Sequence, residues 1–179
     1  MTERQFTDLL DTPLDDFDVK RVAAGIVRDG LFGAALSAGL DPERAFRTSY
    51  ALEHAALSDP EGFAPYHGRF VDNFHAVTNP SAHRHYAKIM AVLLRKGRLR
   101  LTDEQAQQVA ETTFDRLIDP RTKPGVRVWT MDILEILSAR LPWIAEPLYD
   151  TIRRLTETGS PALCSRGVKV CRRLHMAKR

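Results

Sequence analysis

The chain is 179 residues long, 44% hydrophobic and 27% charged, with a formal net charge of +3. That length buries a core without disulfide or metal staples, and the composition is that of an ordinary globular protein rather than a disordered or fibrous one. No run of about eighteen apolar residues occurs, which excludes a membrane-spanning helix. Met1 to Gln5 open polar and mixed in charge with no signal-peptide core behind them, so a cytoplasmic location is expected.

In chain order the elements read as helices throughout. Phe17, Val22 and Ile26 lie at helical spacing, which predicts a helix over about 15–28 that Gly30 ends. A short, glycine-weakened helix follows over 31–40. Four times an Asx residue precedes proline: Asp41-Pro42, Asp59-Pro60, Asn79-Pro80 and Asp119-Pro120. The Asx side chain accepts from an orphan N–H of a first turn, and proline at the first helical position lacks the N–H that would go unpaired. Each pair is therefore expected to open a helix. Those after Pro42, Pro60 and Pro80 run to about Leu57, Val77 and Arg95, with Pro65 tolerated near a first turn. Thr102 with Gln105 is a capping-box pattern and starts a helix to about Ile118. A helix over about 126–139 carries Trp129, Ile133 and Leu137. Pro142 opens the next, and Ser160-Pro161 opens the last.

Cys164 and Cys171 stand seven apart in that last helix, so their Cα atoms are about 10 Å apart, too far for a disulfide. They read as small apolar residues on one buried face. Gly167, in the same helix, costs about 1 kcal/mol of propensity, and a close helix–helix approach would offset it.

The net charge hides an asymmetry. The first ninety residues carry 9 Lys/Arg against 13 Asp/Glu, and the remainder 17 against 10. Arg166, Lys169 and Arg173 share one face of the last helix, Arg172 flanks it, and Arg153 and Arg154 lie one helix earlier. These six residues form a candidate surface for a polyanion or a partner, contributing salt-dependent affinity without sequence selectivity. The competing reading is a polar cap that closes a helical stack.

Read in pairs, the helices repeat. Tyr50, Tyr86 and Trp129 each follow the opening turn of a helix and are followed by a small residue, at a period of roughly 40 residues. From Asp41 to Leu174 the chain resembles HEAT- and armadillo-like repeat proteins, in particular the short single-domain HEAT-like proteins of bacteria. That resemblance implies an all-α fold: a short right-handed α-solenoid of antiparallel helix pairs, about eight or nine helices, in a single domain over 1–179. Residues 1–40 would be its less regular start and 41–179 its repeats. It also implies that Tyr50, Tyr86 and Trp129 are buried in equivalent places. A more distant likeness to the DNA alkylation-repair glycosylases rests on residue types alone, Trp129, Trp143 and Asp132, and both tryptophans also fit apolar stripes as core.

The search for chemistry finds no catalytic motif. There is no phosphate-binding glycine loop ending in Lys-Ser or Lys-Thr, and no Gly-x-Ser-x-Gly elbow. His83 and His85 are about 200° apart on a helix, Glu53-His54 lacks a second histidine at metalloprotease spacing, and His67 and His75 read as surface residues. No catalytic residue, cofactor or metal ligand is assigned. The expected function is a non-catalytic protein-binding or scaffold module with a protein partner. Nucleic acid held on the basic C-terminal surface is the alternative, and no membrane is involved.

Overall fold

A computed structural model describes residues 1–177, and these are helical with no strand. None of their helices is long and apolar enough to cross a membrane. The chain divides into two compact units, Met1–Leu99 and Arg100–Arg179.

The first unit holds α1 (Glu3–Leu10), α2 (Val19–Arg28), α3 (Phe32–Ala38), α4 (Ala45–Ser58), α5 (Pro60–Phe63), α6 (His67–Ala76) and α7 (Pro80–Arg95), with single 3-10 turns at Leu14–Asp16 and Ala64–Tyr66. Its centre is α4, which packs against α2, α3, α5 and α7, while α6 packs on α3 and α7. The second unit holds α8 (Asp103–Ile118), α9 (Pro124–Ser138), α10 (Ala145–Glu157) and α11 (Pro161–Ala177), with a 3-10 turn at Pro142–Ile144. Here α9 is central, packed on α8, α10 and α11.

Local chemistry explains most helix ends. Asp59 and Asn79 cap as expected: the Asp59 carboxylate accepts from Gly62 N–H at 3.0 Å, and the Asn79 carbonyl accepts from Ser81 and Ala82 N–H at 2.9 and 3.2 Å. The other two Asx-Pro pairs do not start helices. Asp41 accepts from Glu43 N–H within a turn, and α4 begins only at Ala45. Asp119 makes the same local bond to Arg121, and α9 waits for Pro124. The cause in the second case is Pro124 itself, which disfavours helical geometry in Lys123, observed at φ −61°, ψ 144°. Thr102 and Gln105 form the expected capping box. Thr2 and Gln5 form another that opens α1, a helix the sequence reading left out; it buries Phe6 and Leu10 on one face. Pro65 breaks the expected continuous helix over 60–77 into α5, a 3-10 turn and α6, because it supplies no N–H and crowds the preceding turn. Gly30 and Gly97 end α2 and α7 at φ 66° and 64°. In both, the next residue's N–H reaches back to the carbonyl five before it, Leu31 to Ile26 and Arg98 to Leu93, each at 2.9 Å.

The three aromatic markers fall on α4, α7 and α9, but only Tyr86 is fully buried; Tyr50 and Trp129 are half-buried. Trp143, expected in the core, is 43% exposed, stacked on Phe114 and donating to Gln107 at 3.1 Å. Tyr86 lies parallel to Phe70 with ring centroids 5.5 Å apart, and its hydroxyl is 3.4 Å from the Asn73 amide, which also donates to the Leu36 carbonyl. A Cβ on Gly39 would sit 2.6 Å from the Tyr86 hydroxyl, so the end of α3 needs a glycine there. Truncating this ring removes packing from three helices at once. Tyr86→Ala is expected to lower the unfolding free energy by about 3–5 kcal/mol, measured by urea denaturation.

Candidate functional site

Two carboxylates are withdrawn from water in the middle of the helix layers. Glu53, on α4, is 4% exposed as a residue and Asp132, on α9, 3%. An unpaired buried carboxylate costs several kcal/mol in real proteins, so each must be met by cations.

In the first unit α7 supplies an imidazole and an ammonium. His85 Nδ1 lies 2.8 Å from one Glu53 oxygen and Lys88 Nζ 2.5 Å from the other. Burial pushes the Glu53 carboxyl up, but the hydrogen bonds from His85 and Lys88 and their charges outweigh it, and the group ends below its ordinary value. An ionised carboxylate only accepts, so the His85 proton facing it is on Nδ1. The His85 ring also stacks on Tyr50 at 5.0 Å, and Tyr50 continues a row with Phe46 and His54 along α4, centroids 6.3 and 5.2 Å away.

In the second unit α11 supplies the cations. Arg166 Nη1 bonds one Asp132 oxygen, and Arg173 Nη2 donates to the other at 2.7 Å. Arg173 Nε donates to Glu135 at 3.0 Å. The Arg166 guanidinium also lies over the Trp129 ring, 5.0 Å from its centroid.

The two arrangements have the same parts. An aromatic ring precedes the buried acid by three residues on one helix, Tyr50 before Glu53 and Trp129 before Asp132. A side chain on a facing helix both stacks on the ring and bonds the acid, the imidazole of His85 in one and the guanidinium of Arg166 in the other. Trp129 follows Tyr50 by the same interval as Asp132 follows Glu53, and Lys169 follows Arg166 as Lys88 follows His85.

Of the six residues singled out on charge, Arg166 and Arg173 converge on Asp132. Lys169 and Arg172 are exposed on the same helix. Arg153 and Arg154 are exposed on α10, where Arg154 Nε reaches its own helix at the Asp150 carbonyl. Cys164 and Cys171 are free and half-buried, and burial pushes the Cys171 thiol up. Gly167 meets α10 closely: a Cβ would lie 2.7 Å from Thr156 Cγ2 and 2.9 Å from Ile152 Cγ2. Among the described residues no group of three or more His, Cys, Asp or Glu is placed to hold a metal.

Sequence reasoning missed Glu53, His85, Lys88 and the acid partners of the arginines. Two signals were present: the recurring aromatic-x-x-acid on α4 and α9, and the recurring cation-x-x-Lys on α7 and α11. In the first unit one hollow of about 530 Å³ lies at Met1, Leu9 and Gly25 and another of about 540 Å³ at Leu31, Arg44 and Arg69, both away from Glu53. In the second unit a smaller one of about 230 Å³ is lined by Ala145, Tyr149, Leu174 and His175. No protein-family model, curated protein or solved structure matches the chain.

The Glu53 cluster has a measurable signature. Its folded carboxyl lies below the ordinary value of 4.5, so the stability it contributes is complete above that value and is lost as pH falls through the lower, folded one. Glu53→Gln keeps an acceptor and removes the charge. Thermal melts across this acid range are expected to show a shallower fall of Tm in Glu53→Gln than in the wild type; parallel curves would exclude the pair as a source of acid sensitivity.

Proposed function

We propose that this protein is a non-catalytic, HEAT-like binding module, its helix pairs forming the turns of a short right-handed solenoid, and that its partner is a protein. The observation that carries the reading is the recurring ring–acid–cation arrangement. In each unit a half-buried aromatic is held against a side chain, His85 or Arg166, whose orientation is fixed by a buried carboxylate. Tyrosine, tryptophan and arginine are the residues that dominate protein–protein binding energy when they are held rigid in partly desolvated positions. The ion pairs also offset much of the charge of the cations, which suits a protein partner better than a polyanion. The recurrence at one interval in both units supports the repeat reading, since stacked repeats present corresponding residues on corresponding helices.

Proteins cross-linked to the wild type in native cells, quantified by mass spectrometry against variants, test this. Tyr50→Ala and Trp129→Ala are each expected to weaken capture of at least one protein by about 2 kcal/mol in the corresponding affinity. Trp143→Ala, which truncates an exposed ring outside these clusters, serves as the control and is expected to leave capture intact. Capture that ignores both face variants counts against the reading. Recovery of nucleic acid instead, lost with Trp129→Ala, would move the protein to the alternative class.

A further inference from the structure

On the α9–α11 face the two signs of charge are not equally accessible. The Asp132 side chain is 4% exposed and that of Glu135 14%, whereas Arg166 and Arg173 are 30% and 36% exposed. Lys169 stands between the two arginines on the same face of α11 and is exposed. The acids are thus the floor of the face and the cations its rim. Each guanidinium has five N–H donors. Arg166 directs one of them at Asp132, and Arg173 directs two at Asp132 and Glu135. The outward donors remain available, on side chains whose rotamers the floor already holds. Trp129 beneath Arg166 adds an apolar ring at the edge of this rim.

We propose that this face docks an acidic polypeptide segment. A partner carboxylate would bridge Lys169 and the outward edges of Arg166 and Arg173, and an apolar neighbour would lie against Trp129. The inference rests on the protein-binding reading above and gives the partner its chemistry. Fixing flexible cations beforehand removes part of the ordering entropy that binding otherwise loses. A polyanion is the poorer match. Nucleic-acid affinity grows with the number of phosphates neutralised, and the charges of Arg166 and Arg173 are already offset by Asp132 and Glu135. What remains suits one or two carboxylates. Exposed Arg172 on α11 and exposed Arg153 and Arg154 on α10 add a positive field that steers such a segment inward.

The chemistry can be read without knowing the partner. A random peptide library displayed on phage is selected on the full chain, and the enriched peptides are titrated by fluorescence anisotropy against the wild type, Lys169→Glu, Lys169→Arg and Tyr50→Ala. Lys169 is exposed, so its variants should keep the wild-type circular dichroism and Tm. The expected result is enrichment of Asp and Glu beside an aromatic or aliphatic residue. Lys169→Glu should then weaken Kd at least about ten-fold, as a like charge placed in an interface does, with Lys169→Arg close to wild type. Peptides without acidic enrichment, or indifferent to Lys169→Glu, overturn the inference. If such peptides are lost with Tyr50→Ala, the binding-module reading survives and only this face is misassigned. A labelled single-stranded oligonucleotide that binds with Lys169-dependent affinity while no peptide is enriched overturns both. Enrichment of nothing, with no oligonucleotide binding, also overturns the docking proposal.

Discussion

A carboxylate removed from water must be met by cations or it will not stay buried and charged. Glu53 and Asp132 impose that demand at the centres of their units, on α4 and α9, the helices that touch the most neighbours. The demand fixes which helix lies alongside and in what register. For α7 to serve Glu53 it must bring His85 and Lys88 to the same level along its axis, and for α11 to serve Asp132 it must bring Arg166 and Arg173. A slide of one residue on either helix would rotate those groups away and leave the acid alone. Hydrophobic burial supplies most of the driving force for packing, but it tolerates sliding; the buried acids do not.

The aromatic partners extend the same constraint toward the surface. Because Tyr50 and Trp129 precede their acids by three residues, each ring lies beside its acid on one helix face. The cation that reaches the acid therefore also covers the ring. Stacking limits rotation of the buried imidazole of His85 and of the part-exposed guanidinium of Arg166, so each pair holds a half-buried ring, Tyr50 or Trp129, in place.

Much of the fold was legible because helix punctuation is local chemistry. Asn79-Pro80 marks the start of α7, Thr102 with Gln105 that of α8, and Gly30 the end of α2, each through bonds spanning a few residues. The misreadings were local too, and came from competition between neighbours. Asp119-Pro120 has the capping pattern, but Pro124 a few residues on decides where α9 can begin. Thr2 and Gln5 repeat the pattern of Thr102 and Gln105 and open α1 in a segment whose polar, mixed-charge composition masks it. The site was less legible for a different reason. His85 and Glu53 are separated by 32 residues, and Arg173 and Asp132 by 41. Nothing in either segment alone says that two helices adjoin, or at what height. Spacing correctly grouped Arg166, Lys169 and Arg173 on one side of α11, but it could not reveal the carboxylates facing them.

Gly167 ties the interior of the second unit to its surface. Where it touches α10 there is no room for a methyl group, so α11 rests directly on the Ile152 and Thr156 side chains of α10. Arg166 is the adjoining residue, and its reach to Asp132 presumes that seating. α11 is in effect a wedge whose depth is set on one side and whose charges are displayed on another. Sequence change at this buried glycine would therefore alter how the arginines meet the outside without touching any charged residue. Any constraint on how that exposed face is arranged would then be felt at a buried position beneath it.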